Sequence, residues 1–378
     1  MTRVYRVGII GVCHVHVHNV ANIFKSHPQV ELVACADTKP VVQECSQVAY
    51  TRAWNLDYLR NTLGVTKSFD DYERMLASEK LDIVICNSEN SEHPAVVRAC
   101  AAAGVHVCVE KPMAASLADA REMVRAARSG KIAAVVHWYM PFSRYMLQAE
   151  RLIREGAIGR VLEFRMRVGH AGPLAPGVRH PGPNIETVAM PDEALASTWW
   201  YQAAAGGGAM VDFCSYGVVI SRWLIGEQPL AAMGMRANLN SRWSDVDDNG
   251  SMMIRYRDAL AVCHGSWSTV DAADRGGPVV FGTGGTLVVD EWGPKPAVRV
   301  FRGKGQVEEH EGISLLDGRR NVAEEFIHHL ETGEPVHPTL DIGFNADATA
   351  VLEAGMRSAE TGCLELVPSP AWETTTYA

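Results

Sequence analysis

The chain has 378 residues, 47% apolar and 21% charged, which excludes a disordered or collagen-like chain and leaves room for two domains. Its formal charge of −9 and pI near 5.9, with no run of Lys or Arg longer than a pair, give no footprint for a polyanion, so no nucleic-acid partner is expected. No stretch reaches the roughly 18 consecutive apolar residues of a membrane span, and MTRVYRVGIIGV lacks an apolar segment followed by a small-residue cleavage site. The nine cysteines, at 13, 35, 45, 86, 100, 108, 214, 263 and 363, form no C-x-x-C pair and fit a reducing compartment. A cytoplasmic protein without a membrane partner is expected.

From residue 5 to 136 short apolar runs alternate with helical segments. The predicted strands are YRVGII (5–10), ELVACA (31–36), LDIVIC (81–86), VHVCV (105–109) and IAAVV (132–136), apolar throughout as strands buried on both faces must be. A helix over 92–103 stops at Gly104, and a second begins at Ser116-x-x-Asp119, a capping-box spacing, and ends at Gly130. This pattern predicts a doubly wound parallel α/β domain over 1–136. The stretch 49–66 is long for a connection and is expected to form an extra helix or a lid.

Residues 137–378 read differently. A helix over 143–155 leads into a strand over 161–168, and MMIRYR, ALAVCHGSW, PVVFGT, TLVVDEW and AVRVFR alternate and are joined by short turns such as Arg257-Asp258. With helices at 321–331 and 343–360, this predicts an α+β domain carrying a large, mostly antiparallel sheet. Residues 170–198 hold five prolines and little periodicity, a long loop of the kind kept for binding.

The first strand runs into Gly8-Ile-Ile-Gly11-Val-Cys13-His14-Val-His16, where a G-x-G-x-x-G fingerprint would place glycines at 11, 13 and 16; only the first is kept. A pyrophosphate needs close backbone approach at the second position and free N–H groups at a helix start. Read by itself, the segment is equally a plain strand-to-helix turn. His14, His16 and His18 also allow an H-x-H zinc pair of a hydrolase barrel, but no ligand cluster follows the later strands, so no metal is expected. Near a helix N-terminus these imidazoles should be neutral.

Asp37 ends the second strand 26 residues beyond Gly11, where a carboxylate accepts ribose hydroxyls and repels a 2′-phosphate, favouring NAD over NADP; Lys39 works the other way. Glu110-Lys111-Pro112 follows VHVCV, and its lysine is held at the carboxyl edge of the sheet, where open α/β sheets bind ligands. Gly206-Gly-Gly opens a helix to Gly226 that carries Asp212 and Tyr216 four apart on one face, a carboxylate and a phenol suited to handling a proton.

Taken together, GIIGV, Asp37, Asn90-Ser-Glu-His93, AGVHVCVEKPMA (103–114), EGAIGRV (155–161) and GGGAMVDFCSY (206–216) resemble the Gfo/Idh/MocA oxidoreductases over about residues 4–360. The resemblance implies a Rossmann domain plus an open-faced sheet domain, NAD or NADP, of which Asp37 favours NAD, a sugar, glycoside or cyclitol hydroxyl as substrate, and a homodimer or homotetramer. It implies Lys111 and Asp212 as active-site residues, with Tyr216 where many members have histidine and one branch has tyrosine. The dinucleotide is then expected against Gly11, Cys13, His14, His16, Asp37, Asn87, Asn90, His93, Glu110 and Lys111. Substrate is expected against His137, Trp138, Trp199, Trp200 and His180, with Trp199, Trp200 and Tyr201 offering a sugar ring an apolar face to stack on. Val219 stands where an aspartate is common, and His137-Trp138-Tyr139 replaces Asn-x-Arg.

The expected chemistry is hydride transfer, with Tyr216 taking the hydroxyl proton as a phenolate and Lys111 lowering its pKa from about 10. Two rivals stand beside it: a redox-neutral glycoside hydrolase or lyase that retains NAD, and a non-catalytic NAD- or sugar-binding protein.

Overall fold

The computed structural model describes residues 3–38, 48–270 and 277–368. The uninterrupted apolar runs form a parallel sheet, because strands without polar alternation need cover on both faces. Its strands are β1 (Tyr5–Ile10), β2 (Val30–Ala36), β3 (Lys67–Phe69), β4 (Ile83–Cys86), β5 (His106–Val109) and β6 (Ala134–Val136). All neighbouring pairs are parallel, in the order β3-β2-β1-β4-β5-β6, so the direction of winding reverses between β1 and β4, the switch point where such sheets bind ligands. β3 was absent from the sequence reading because Lys-Ser-Phe is a three-residue edge strand with no buried residue.

Helices α1 (Val17–Lys25), α2 (Arg52–Asn61), α3 (Tyr72–Ser78), α4 (His93–Ala103) and α5 (Leu117–Gly130) cover the two faces. The long connection after β2 contains α2, the extra helix anticipated there. Ser116 caps α5 as its spacing predicted, accepting from Asp119 N at 3.1 Å. Gly130 is not the cap but the last helical residue; the left-handed position is Lys131, φ 53°. Glycine is required at 130 because a Cβ there would stand 2.7 Å from the Ala101 carbonyl of α4.

The second sheet is built from β7 (Val161–Gly169), β8 (Ala231–Ala237), β9 (Asn249–Arg255), β10 (Leu260–Ser266), β11 (Val279–Gly282), β12 (Gly285–Asp290), β13 (Ala297–Gly303), β14 (Gln306–His310) and β15 (Glu365–Leu366). Its order is β14-β13-β12-β11-β7-β10-β9-β8-β15, antiparallel throughout except β7 with β10. β8 and β14 were missed: AAMGMRA lacks β-branched residues, and QVEEH has no buried side chain. Helices α6 (Arg144–Arg154), α7 (Asp192–Ala196), α8 (Ser215–Ile225), α9 (Val322–Thr332) and α10 (Ile342–Thr361) complete the chain.

One face of this sheet packs on α8 and α10 through residues such as Met252, Ile254, Ala261 and Cys263. The chain's last helix also returns to the first sheet: Leu117 N donates to Glu353 at 2.8 Å and Trp138 Nε1 to Asn345 at 2.7 Å. The run Ala203–Ile225 is long and apolar enough to cross a membrane by composition, yet 78% of its most apolar window is buried inside the protein, as in a core helix.

The expected helix from the glycines to Gly226 forms, but its first turn is wound wide. Met210–Cys214 forms one wide π turn, a feature that often sits at functional sites, before α8 begins and ends on left-handed Gly226.

Candidate active site

Lys111 follows β5 at the carboxyl edge of the parallel sheet, and its peptide bond to Pro112 is cis. The π turn delivers Asp212 and the first turn of α8 delivers Tyr216 to the same point. Lys111 Nζ donates to Asp212 Oδ1 at 2.5 Å and lies 4.9 Å from the centre of the Tyr216 ring. The three residues singled out from sequence are therefore one cluster, although 101 positions separate Lys111 from Asp212.

Trp267 and Asn345, which sequence reasoning missed, and Tyr139, noted there only as a departure from the family pattern, hold this cluster. Trp267, at the end of β10, donates from Nε1 to Asp212 Oδ2 at 3.1 Å, so both carboxylate oxygens are engaged. Tyr139 packs at 5.9 Å from the Tyr216 ring. Asn345 of α10 fixes Trp138, which meets the Tyr216 ring edge-on at 5.0 Å. Trp138 is thus a buried brace for Tyr216, not the substrate contact expected of it.

Burial opposes the charge on Lys111, but Asp212, Tyr216 and Glu110 outweigh it and raise its pKa, so it is an ammonium. Burial raises the Tyr216 phenol above its ordinary value of 10.0, and Lys111 beside it only partly offsets that. This corrects the expectation that Lys111 pulls the phenol down toward neutrality: loss of hydration costs the phenolate more than the neighbouring cation returns. Tyr216 therefore carries its phenolic proton at neutral pH.

Glu110, buried next to Lys111, is shared by two imidazoles. His16 Nδ1 lies 3.1 Å from Oε1 and His137 Nδ1 3.2 Å from Oε2. Burial alone would raise its pKa, yet His14, His16 and His137 hold it well below the carboxylate range. Two departures from the family pattern, His16 in the fingerprint and His137 after β6, thus meet on one carboxylate.

The fingerprint turn departs from expectation in detail. Gly11 is left-handed, φ 81°, and a Cβ there would stand 2.3 Å from Ser88 N, so the glycine serves a close approach of β1 to the loop after β4. Cys13 Sγ lies 3.6 Å from both Asn87 O and Glu89 Oε2, and Cys13 O accepts from Trp199 Nε1 at 3.1 Å. Trp199 and Trp200 are 4% and 3% exposed and pack on His14, so neither offers the open ring face expected for a sugar. The short turn that carries them is wedged between the glycines and the fingerprint.

The three neighbouring histidines diverge. His18 turns away to Asn55 of α2 at 2.8 Å, and burial lowers its pKa to about 4. Burial also holds His14 well below 6.5, so His14 and His18, both expected to be neutral, are so chiefly by burial. His14, His16 and Glu110 do place ligand atoms within 4.8 Å of one another. However, His14 Nδ1 accepts the His16 N–H at 3.1 Å, which leaves the proton on Nε2, and the Lys111 ammonium stands near. Both features disfavour a cation.

The Pro-rich loop lies over this edge of the sheet. Tyr50 Oη accepts from His180 N at 3.3 Å and Ile185 N at 3.0 Å, and donates to Ile185 O at 2.8 Å. A Cβ on Gly182 would stand 3.1 Å from Asn19 N, against the first turn of α1. His180 Nε2 bonds Pro173 O at 2.6 Å, and burial lowers its pKa to about 3; its ring centre is 6.3 Å from that of His16. In this position it holds the loop instead of facing a substrate.

Of the remaining expected residues, His93 sits between Met113 O at 3.0 Å and Ser88 O at 3.2 Å, bracing the loops after β4 and β5. Asn90 Nδ2 donates to Gly206 O at 2.8 Å, tying the first domain to the glycine turn. Asp37 Oδ1 accepts from Thr38 N at 2.8 Å and Arg52 Nη1 at 2.6 Å, and Arg52 Nη2 reaches Glu89 Oε1 at 2.5 Å. Arg52 and Glu89 carried no sequence signal, since neither belongs to a motif. Lys39 lies outside the described residues.

Residues 5–137 match the oxidoreductase family with an NAD-binding Rossmann fold, Gfo/Idh/MocA, and residues 146–288 match that family's C-terminal domain. A 1,5-anhydro-D-fructose reductase of Ensifer adhaerens is 27% identical over 226 residues, 60% of this chain and 62% of that protein. A D-xylose dehydrogenase of Paenarthrobacter nicotinovorans is 26% identical over 280 residues, 72% of this chain and 63% of that protein. The chain thus spans less than two thirds of the curated relatives it matches. Among solved structures, an aldose-aldose oxidoreductase from Caulobacter crescentus complexed with glycerol shares the fold, with a TM-score of 0.75 and 20% identity over 96% of this chain and 100% of that one. The chain belongs to the Gfo/Idh/MocA family of oxidoreductases.

Proposed function

We propose that this protein is an oxidoreductase that transfers a hydride between a nicotinamide dinucleotide and a carbonyl or hydroxyl of a sugar, glycoside or cyclitol. The observation that carries this reading is the Lys111–Asp212–Tyr216 cluster at the carboxyl edge of a family-matched Rossmann sheet. The relatives' names, a reductase and a dehydrogenase of sugars, support the substrate class.

The residues at the switch point fit a dinucleotide. His14 Nε2, Asn87 Oδ1 and Asn90 Oδ1 are buried polar atoms with no partner among the described residues, gathered where β1 and β4 end. Such atoms cost about 1–3 kcal/mol each unless a ligand or water satisfies them. The nicotinamide ring, when bound, accepts or returns the hydride. In the direction of reduction Tyr216 donates its phenolic proton to the substrate's carbonyl oxygen. Lys111 then stabilises the phenolate left behind, and Asp212, anchored by Trp267, holds the ammonium in place.

Purified protein given NADH and a panel of keto- and aldo-sugars should consume absorbance at 340 nm, one reduced sugar forming per NADH. Cleavage of a glycoside with no net absorbance change would replace this reading with the redox-neutral one.

NAD is proposed as the preferred cofactor, since two carboxylates, Asp37 and Glu89, face a single guanidinium at the end of β2. A cytoplasmic location is proposed from the nine scattered cysteines, which form no C-x-x-C pair. A homodimer or homotetramer is proposed from the outer face of the second sheet. There Met233, Met253 and Val262 lie side by side across β8, β9 and β10, the two methionines 49% and 48% exposed, with Leu260 and Phe301 on the same face. Met253→Asp should shift the protein toward monomers in sedimentation velocity while leaving its melting temperature within a few degrees. An unchanged assembly would rule this face out.

A further inference from the structure

We infer that Arg52 governs which dinucleotide this protein accepts: its guanidinium is a latent 2′-phosphate ligand that Asp37 and Glu89 hold in check. The inference rests on the dinucleotide reading above and goes beyond it to a residue on α2 that no fingerprint contains.

Arg52 is the first residue of α2, and its side chain is 3% exposed. One edge of the guanidinium meets Asp37 Oδ1 at 2.6 Å and the other meets Glu89 Oε1 at 2.5 Å. Every hydrogen bond described for Asp37 falls on Oδ1, from Val12 N, Thr38 N, Thr38 Oγ1 and Arg52, which leaves Oδ2 for a ribose hydroxyl. Glu89 Oε2 accepts from Thr38 Oγ1 at 3.0 Å, so the second carboxylate is locked to the same corner.

A lone aspartate at this point repels a 2′-phosphate, whereas an arginine nearby accommodates one. Here both are present, and a second carboxylate tips the balance. Among the described residues, one cation against two anions leaves net negative charge, which disfavours a phosphate dianion while keeping the ribose acceptor in place. The arginine also prevents half-buried Asp37 and buried Glu89 from repelling each other. Neutralising either acid removes that net negative charge and turns one edge of a planar fork, whose geometry suits phosphate, toward the ligand, so a 2′-phosphate is no longer repelled.

The test titrates NAD+ and NADP+ by quenching of intrinsic tryptophan fluorescence, with thermal melts to confirm folding. In Asp37→Asn the ratio of NADP to NAD affinity should rise roughly 10- to 100-fold, the worth of a charge-assisted hydrogen bond. Glu89→Gln should move the ratio in the same direction, and adding Arg52→Gln to Asp37→Asn should cancel the gain. Arg52→Gln alone, which relieves neither acid, should weaken residual NADP binding more than NAD binding. An unchanged ratio in Asp37→Asn and Glu89→Gln, a gain that survives loss of Arg52, or equal losses in Arg52→Gln overturns the inference. Wild-type protein that binds neither dinucleotide instead overturns the reading on which it rests.

Discussion

Tyr216→Phe is expected to lower turnover by about 10²–10⁴-fold, the span of general acid–base catalysis, while leaving dinucleotide affinity nearly unchanged. The change removes one hydroxyl and keeps the ring, so the contacts with Trp138 and Tyr139 survive. The pH profile separates a proton donor from a structural tyrosine. Because burial raises this phenol above 10.0, it stays protonated through neutral and mildly alkaline pH. Sugar reduction by the wild type should therefore hold its rate up to about pH 10 and fall beyond it, whereas oxidation of the alcohol should still be rising there. Near-wild-type turnover in Tyr216→Phe, or an oxidation rate that levels off near neutrality, would remove Tyr216 from the chemistry.

Lys111→Met should lose activity to a similar degree and also destabilise the protein. The Lys111 and Asp212 side chains are 4% and 9% exposed, and removing one partner of a buried pair leaves an uncompensated charge, at a cost of about 3–5 kcal/mol. Trp267 alone would remain on the carboxylate. Without the ammonium the phenol's pKa rises further, so the alkaline fall in reduction rate should move to still higher pH. Urea unfolding monitored by circular dichroism measures the first effect and the pH profile of residual activity the second. Stability unchanged within about 1 kcal/mol would show that the pair is not held as the structure holds it.

The corrections share a cause. Trp199 and Trp200 read as stacking platforms and Trp138 as a substrate contact because aromatic residues near a site suit sugars, yet all three are buried in the walls. Their indole N–H groups show how far they are committed: two donate within the protein, to Cys13 O and Asn345 Oδ1. The histidines likewise read as one group from their alternate spacing. In the fold, His14 faces the tryptophans, His16 faces Glu110, and His18 faces Asn55, because a turn running into a helix splits successive side chains among different neighbours.

The alternation of buried strands and helices, the cap at Ser116, and the positions of Lys111, Asp212 and Tyr216 were legible in the amino-acid sequence, because each depends on local periodicity or a short motif. Short edge strands such as β3 and polar ones such as β14 were not, since they bury too little to leave a pattern. Tertiary structure alone brought Arg52 between Asp37 and Glu89, and His16 and His137 onto Glu110, pairings of residues 15 to 94 positions apart. It also decided the direction of the Tyr216 shift. Sequence placed a cation near the phenol, but whether attraction or lost hydration prevails depends on how completely the folded chain excludes water from the hydroxyl, and no local stretch of residues contains that information.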